Sequence, residues 1–343
     1  NFGEELMITN EAYRAISVYA SDLDNDGDQD VLSASNGDDK IAWYRNDGHG
    51  NFGAQFVISI NTQAVESVFS ADLDGDGDMD VLSASKLNDK IGWHENNGNG
   101  NFGDEQVITY NANRASSVHS SDLDNDGDQD VLSASWYDNK IAWYENYGNG
   151  GFGKQRVITT FARGARSVFS ADFDRDGDQD VLSASGMDSK IAWYENDGKG
   201  NFSDQQVITK KASGACSVYS AYLDGDGDLD VLSASRFDDE IAWYENLLSI
   251  DQDGIESLEN MGITIYPNPT NGRLKIEFEN KAGSLNTQDI QKLAIFDISG
   301  KKLIEKTEIH QTEIFQLSNF ENGIFFISIQ TEQQTFTTKI IKQ

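Results

Sequence analysis

Asp22-Leu23-Asp24-Asn25-Asp26-Gly27-Asp28-Gln29-Asp30 sets an acid at every second position of a nine-residue stretch, with a glycine sixth. The stretch returns at a spacing of 50 residues as Asp72–Asp80, Asp122–Asp130 and Asp172–Asp180, and as Tyr222–Asp230, where Tyr222 replaces the first acid. A fixed period of this size marks a repeat fold. Carboxylates at positions 1, 3, 5 and 9 of a short loop suit a hard cation with six to eight oxygen ligands, and Ca²⁺ fits best. The glycine allows the sharp turn, because it reaches φ > 0 without a Cβ clash. Carboxylates about 5 Å apart repel by roughly 0.8 kcal/mol per pair even at water's dielectric. A solvated acidic turn would carry that repulsion with nothing to offset it.

The candidate ligands are therefore Asp22, Asp24, Asp26 and Asp30, with Asp28 through its carbonyl. Their counterparts are Asp72, Asp74, Asp76, Asp78 and Asp80, then Asp122, Asp124, Asp126, Asp128 and Asp130, then Asp172, Asp174, Asp176, Asp178 and Asp180. The fifth loop keeps Asp224, Asp226, Asp228 and Asp230 and is expected to be weaker or empty. An EF-hand would place a bidentate Glu at position 12, where this chain has Ser33, Ser83, Ser133, Ser183 and Ser233. The residues that follow, Val31-Leu32-Ser33-Ala34-Ser35, read as a strand. The expected unit is a strand-loop-strand hairpin.

Acidity is concentrated in these loops. The chain of 343 residues carries a formal charge of −32, of which residues 1–250 hold −28 and residues 251–343 hold −4. The five loops supply 24 of the 45 acids before residue 251. Nothing resembles the basic stripe that a nucleic-acid partner requires. One cysteine, Cys216, permits no internal disulfide. No stretch approaches the roughly 20 apolar residues of a membrane-spanning helix. The chain does not begin with Met and is read as a processed or truncated form.

Each 50-residue unit shows four strand-like segments, such as Val157–Thr160, Ser167–Ala171, Asp180–Ser185 and Lys190–Glu195. Turns of the form Asn-x-Gly-x-Gly-x-Phe, as in Asn196 to Phe202, separate the units. Four short strands per repeat without a helix suggest the blades of a β-propeller. Trp43, Trp93, Trp143, Trp193 and Trp243 recur at one position. They are expected to pack between blades rather than form a ring for stacking a ligand.

The Asp-x-Asp-x-Asp-Gly-x-x-Asp loop with its following Asn-x-Gly-x-Gly-x-Phe-Gly resembles the FG-GAP/VCBS repeat family, which includes the integrin α-subunit propeller. The resemblance covers residues 1–246 and implies four-stranded propeller blades. It also implies a loop between the first and second strands of each blade that binds Ca²⁺ through the acids named above. Blade number stays open, since propellers of this family commonly have seven and five repeats are present.

Residues 247–261 read as a linker, and the character of the chain changes beyond it. Tyr266-Pro267-Asn268-Pro269, Phe296–Lys301, Leu317–Ile324 and Lys339–Lys342 occur in order among alternating strand segments that read as a small Ig-like β-sandwich over residues 262–343. These motifs resemble the C-terminal sorting domain of the type IX secretion system of Bacteroidetes. The alternative is a generic Ig-like adhesion module. The resemblance implies recognition by the type IX machinery, and a protein secreted or held on the outer-membrane surface.

The expected protein is all-β: a calcium-binding propeller acting as an adhesion or ligand-binding module for an extracellular ligand, glycan or surface protein. The competing reading is a part of a larger Ca²⁺-dependent polysaccharide-degrading enzyme. No catalytic constellation supports the latter, since His49, His94, His119 and His310 do not cluster. Loops between the second and third strands differ most among units and include Trp136, Tyr137, Arg236 and Phe237, which suit sugar stacking or acidic groups. They are the candidate ligand residues. Residues 4–9 match the outer strand that precedes each unit, and are expected to pair with Glu240–Glu245 and close the ring.

Overall fold

Strand formation follows the 50-residue period in the computed structural model, which describes residues 3–224, 228–247, 262–267, 270–279, 287–297, 301–320, 322–331 and 335–342. In the first repeat β1 (Ala15–Ser21), β2 (Asp30–Ser35), β3 (Lys40–Asn46) and β4 (Phe52–Ser59) pair in that order as one antiparallel sheet. The β1–β2 register runs from Ser21 opposite Asp30 to Ala15 opposite Ser35, with a bulge at Ile16. The acidic loop is the connection between these two strands. Three further four-stranded sheets repeat the order, beginning at Val65–Ala71, Ala115–Ser121 and Ala165–Ala171. A fifth, of Ala215–Ala221, Asp230–Ser235 and Glu240–Tyr244, has three strands. These sheets are propeller-like blades. Of the segment 157–160, expected to open the fourth unit, residues 157–159 fall in the strand Arg156–Thr159, which is the outer strand of the third blade.

Packing between neighbouring blades explains the repeated apolar positions. Ile41 and Trp43 of the first blade share a buried cluster with Val65, Val68 and Val81 of the second, and Ile91 and Trp93 pack on Val118 and Val131 in the same way. Trp43, Trp93 and Trp143 are buried, as the packing expectation required, and Trp193 is partly buried against the fourth-blade cluster, but Trp243 of the last blade has no blade beyond it and is 49% exposed. Burying about 200 Å² of indole contributes roughly 5 kcal/mol by area, an upper bound. Their rings admit only a glycine opposite: a Cβ at Gly100 or Gly200 would lie 2.2 Å from the indole of Trp43 or Trp143. The second strands of blades two to four (Asp80–Ser85, Asp130–Ser135, Asp180–Ser185) are buried throughout, and small Ser and Ala side chains let neighbouring sheets approach.

First strands of successive blades line up through a column of rings. Tyr19, Phe69, His119, Phe169 and Tyr219 follow one another at centroid spacings of 4.5, 4.6, 4.8 and 4.9 Å. Burial in this column pushes the His119 imidazole down to about 4, so it is neutral at physiological pH.

The expected closure by residues 4–9 is not formed. These residues take no strand conformation, and the fifth sheet keeps Glu240–Tyr244 as its edge. The end faces are uncovered: Val18 is 71% exposed where Val68, Val118 and Val168 are 4%, and Ile241 is 85% exposed where Ile191 is 0%. The sequence match identifies a segment able to form a strand, but pairing also needs an edge within reach, and the two end faces do not cover one another.

The chain divides into two compact units, Asn1–Asn246 and Leu247–Gln343. Of the expected linker 247–261, all but Leu247 lies outside the described residues. In the second unit, Ile263–Tyr266, Arg273–Phe278 and Thr312–Gln316 form one antiparallel sheet. A second sheet orders Lys302–Lys306, Ile290–Asp297, Gly323–Thr331 and Thr335–Lys342. Leu274, Ile276 and Phe315 from the first meet Leu293, Ile295, Ile327 and Ile329 from the second in one apolar core. Of the C-terminal motifs, residues 268–269, 298–300 and 321 lie outside the described residues.

Candidate metal centres

The β1–β2 loop is organised by its own carboxylates before any ion is considered. Asp22 accepts the N–H groups of Asp26 and Gly27 at 3.2 and 3.0 Å, and Asp26 accepts that of Asp28 at 3.0 Å. Such side-chain turns curl the backbone locally. Gly27, Gly77, Gly127 and Gly177 hold φ between 93° and 98°, the left-handed range the turn needs. Asp30 is fully buried, and its two oxygens accept Leu23 N–H at 3.0 Å and Asn46 N–H at 2.8 Å. This latch recurs at Asp80, Asp130, Asp180 and Asp230.

Three acids of each complete loop converge. Carboxylate oxygens of Asp22, Asp24 and Asp30 lie within 4.8 Å of one another, as do those of Asp72, Asp74 and Asp80, of Asp122, Asp124 and Asp130, and of Asp172, Asp174 and Asp180. Buried oxygens in these clusters are left without a hydrogen-bond partner: Oδ1 of Asp24, Asp122, Asp124 and Asp172. A buried polar atom without a partner costs about 1–3 kcal/mol, so these oxygens suit a cation. Burial foremost, with repulsion from Asp26, Asp76, Asp126 and Asp176, holds Asp24, Asp74, Asp124 and Asp174 above the usual carboxylate range. Burial also raises Asp30, and pushes Asp80, Asp130 and Asp180 up to about 7 in spite of their backbone hydrogen bonds.

The side chains of the other expected ligands are not part of these groups of three, and for Asp28 and its counterparts the expected ligand is the backbone carbonyl. The side chains of Asp28, Asp78, Asp128 and Asp178 lie against Gly48, Gly98, Gly148 and Gly198. Asp26, Asp76, Asp126 and Asp176 are outside the groups of three. In the fifth loop Asp226 lies outside the described residues. Among the described residues Asp224, Asp228 and Asp230 form no such cluster, and Tyr222 is exposed.

Two features went unread in the sequence. Arg45 sits at the mouth of the first cluster, with Nε 2.7 Å from Asp24 and Nη2 2.8 Å from Asp26, and lowers the Asp26 carboxyl. The same position holds Glu95, Glu145 and Glu195 in the next three repeats, whose charges raise Asp74, Asp124 and Asp174. Aligning the repeats exposes this reversal of charge. The second feature is a ladder between loops. Asn96 Nδ2 donates to the Leu23 carbonyl at 2.8 Å, and Asn146, Asn196 and Asn246 donate to Leu73, Leu123 and Phe173 at 2.9, 2.7 and 2.9 Å. Asn125 adds a bond to Asp178 of the next loop at 2.6 Å.

At the other end of the blades, the hairpin after the second strand bonds to the chain entering the first: Trp136 and Tyr137 N–H groups donate to the carbonyls of Arg114 and Asn113 at 3.0 and 3.1 Å. Trp136 and Tyr137 come together, with ring centroids 6.3 Å apart, and the Arg114 guanidinium lies 5.5 Å from each ring. Arg236 and Phe237 stand two blades further on, beside Gly214. The four candidate ligand residues therefore form two separate pairs.

Sheets repeated at a fixed period, each with an acidic loop between its first two strands, define a repeat protein of propeller-like blades. Four overlapping segments, residues 22–83, 72–133, 122–183 and 172–233, match the FG-GAP-like repeat, and residues 264–343 match the secretion system C-terminal sorting domain. The chain belongs to the FG-GAP-like repeat proteins and carries a sorting domain that marks it for secretion by the type IX system. No curated protein matches it. Similar solved structures include an Agrocybe aegerita lectin that recognises non-reducing terminal N-acetylglucosamine, at 20% identity and TM-score 0.48, covering 68% of this chain and 67% of that one. The V. cholerae biofilm matrix protein Bap1 aligns at 14% identity and TM-score 0.42, covering 96% of this chain and 66% of that protein. A luciferin-regenerating enzyme aligns at 13% identity and TM-score 0.40, covering 68% of this chain and 74% of that one.

Proposed function

We propose that this protein is a calcium-stabilised, ligand-binding module that works outside the cell after type IX export, and that it is not an enzyme. The observation that carries this reading is the fourfold recurrence of three carboxylates within 4.8 Å, three of the four clusters holding buried oxygens that lack a donor. Asp22, Asp24 and Asp30, and their counterparts in the next three loops, would hold the ion. The bound ion supplies positive charge to a group of acids that otherwise repel. The backbone latch made by the ninth acid fixes one ligand and lets the ion tie the two strands together. At the opposite end, the variable hairpins with Trp136, Tyr137, Arg236 and Phe237 form the ligand face. Aromatic and guanidinium groups there suit a glycan or an acidic surface.

Melting with and without calcium tests the metal half of the reading. Binding to the folded state alone raises stability in proportion to the logarithm of free ion. Tm should rise with millimolar Ca²⁺ and fall in chelator, and elemental analysis should find bound calcium. An unchanged melt with no bound metal refutes it. A glycan array probed in calcium tests the ligand half, and Trp136→Ala with Arg236→Ala should lose any signal found.

A further inference from the structure

Between the second, third and fourth blades, at the end away from the acidic loops, Glu66, Lys86, Arg114, Ser116, Trp136 and Arg166 line a cavity of about 140 Å³. Three cations and one anion meet there, a net charge of +2 in a chain of net charge −32. Lys86 Nζ pairs with Glu66 Oε1 at 2.6 Å, which neutralises both. Arg114 and Arg166 are left: among the described residues neither forms an ion pair. These two guanidinium groups face one cavity without an ion-pair partner, and their forked donors match a carboxylate or sulfate.

Arg114 is also held in place at some cost. Its φ is 54°, in the left-handed region that this position takes in every repeat: Arg14 and Ala64 hold it at 54° and 61°, and Gly164 and Gly214 at 65° and 71°. A non-glycine residue there is destabilised by about 1–2 kcal/mol. Asp89 Oδ1 accepts its N–H at 2.8 Å, and its guanidinium lies over the rings of Trp136 and Tyr137, 5.5 Å from each centroid. The side chain is thus pre-positioned, which reduces the entropy lost on binding. Tyr137 is exposed beside it and offers an apolar face. The cavity has room for roughly ten water-sized spheres, more than a bare ion fills.

We propose that this cavity is a saccharide site that recognises one anionic substituent, a carboxylate or a sulfate ester, through Arg114 and Arg166, with the sugar ring against Trp136 and Tyr137. It rests on the reading of this end of the blades as the ligand face, and it names the ligand class. One anionic substituent can bridge the two guanidinium groups and leaves a single positive charge, whereas the −32 of the whole chain disfavours long polyanions.

Methyl glucuronide, glucose 6-sulfate and the neutral methyl glucoside, titrated into the full chain in 1 mM Ca²⁺ and 50 mM NaCl with NMR detection, test the proposal. The expected result is at least tenfold tighter binding of one or both anionic sugars than of the glucoside, weakened at 500 mM NaCl. Arg166→Gln and Arg114→Gly should each lose at least tenfold. Arg114→Gly keeps the fold secure, because repeats four and five already carry glycine there. Arg163→Gln, outside the cavity, should bind as the parent does. Equal binding of glucuronide and glucoside, or full binding by Arg114→Gly, overturns the proposal. Inorganic sulfate binding as tightly as glucose 6-sulfate overturns the saccharide assignment. A neutral glycan that binds this face while both anionic sugars fail would leave the ligand-face reading standing and remove only the anion site.

Discussion

Replacing Arg45 by Glu should turn the first carboxylate cluster into a copy of the other three. In the parent chain the Arg45 guanidinium lies 2.7 Å from Asp24 and 2.8 Å from Asp26, where the next repeats have Glu95, Glu145 and Glu195. A calcium ion at that cluster meets a positive charge instead of a negative one. The substitution changes the side chain by two charges against a doubly charged ion, so four unit interactions change. At about 6 Å and water's dielectric each is roughly 0.7 kcal/mol, for a total of about 3 kcal/mol. Screening at 0.15 M salt roughly halves it. The first site should therefore gain about a hundredfold in affinity at low salt and about tenfold at physiological salt. Loss of the Arg45 ion pairs adds little, since that side chain is 54% exposed and such pairs are weak. Calorimetric titration of the chelator-stripped protein reads this directly. The parent should bind three ions tightly and one weakly, and Arg45→Glu should bind four alike. Glu145→Arg should move the third site the opposite way. Four equal sites in the parent, unmoved by Arg45→Glu, would refute the role given to Arg45 without touching the calcium reading, which fails only if no metal binds.

The metal-free protein should lose stability as pH rises from about 4 to about 7. Asp80, Asp130 and Asp180 hold protons up to about 7 when folded, against 3.8 ordinarily, so the folded state binds more protons across that window. Their stabilising effect is complete below about 4 and lost above 7, at up to about 4 kcal/mol per group. Chelator-treated protein should melt lower at pH 7.5 than at pH 5, and saturating calcium should remove the difference; a flat profile without calcium contradicts the assignment. Gly200→Ala places a Cβ 2.2 Å from Trp143 at a φ of 69°, and should cost at least 2 kcal/mol by denaturant titration. Asn146→Ala removes buried donors to the Leu73 and Gln129 carbonyls and should cost about 2 kcal/mol, whereas Asn149→Ala, three residues on and exposed, should cost under about 0.5. Deleting residues 262–343 should leave calcium binding intact and stall the protein in the periplasm of a type IX-competent host; normal surface yield would contradict the sorting role.

Repetition made most of the fold legible. A pattern that recurs every 50 residues averages away local ambiguity, so strands, acidic loops and inter-blade tryptophans emerge from the alignment of the chain with itself. What depends on a single departure or on distance was harder to see. Arg45 is one residue among five equivalents, and its meaning rests on which carboxylates its side chain reaches. The ninth acid of each loop looked like a plain ligand. Asp230 makes the same two backbone bonds as the others in a loop without a described cluster, so the position answers to strand geometry as well as to a metal. Asn96 and its equivalents looked like turn residues because their acceptors lie 73 positions away. Residues 4–9 share a pattern with the outer strands, but a pattern carries no information about whether the partner edge is near. Of the ligand candidates, Trp136 and Tyr137 belong together because they are adjacent, while Arg236 and Phe237 share only their repeat position with them.

The asparagine ladder makes the loops a row of linked latches. Each amide grips the carbonyl one residue after the first acid of the preceding loop, so tightening one loop sets the anchor point of the next. In such a one-dimensional array, energy passes between neighbours only. With calcium bound as proposed, occupation of one loop would bias the loop beside it through these bonds. On the calcium reading, such a chain would be slack where the ion is scarce and stiffer, loop by loop, where it is abundant, with the change of state set by the environment it enters rather than by any partner it meets there.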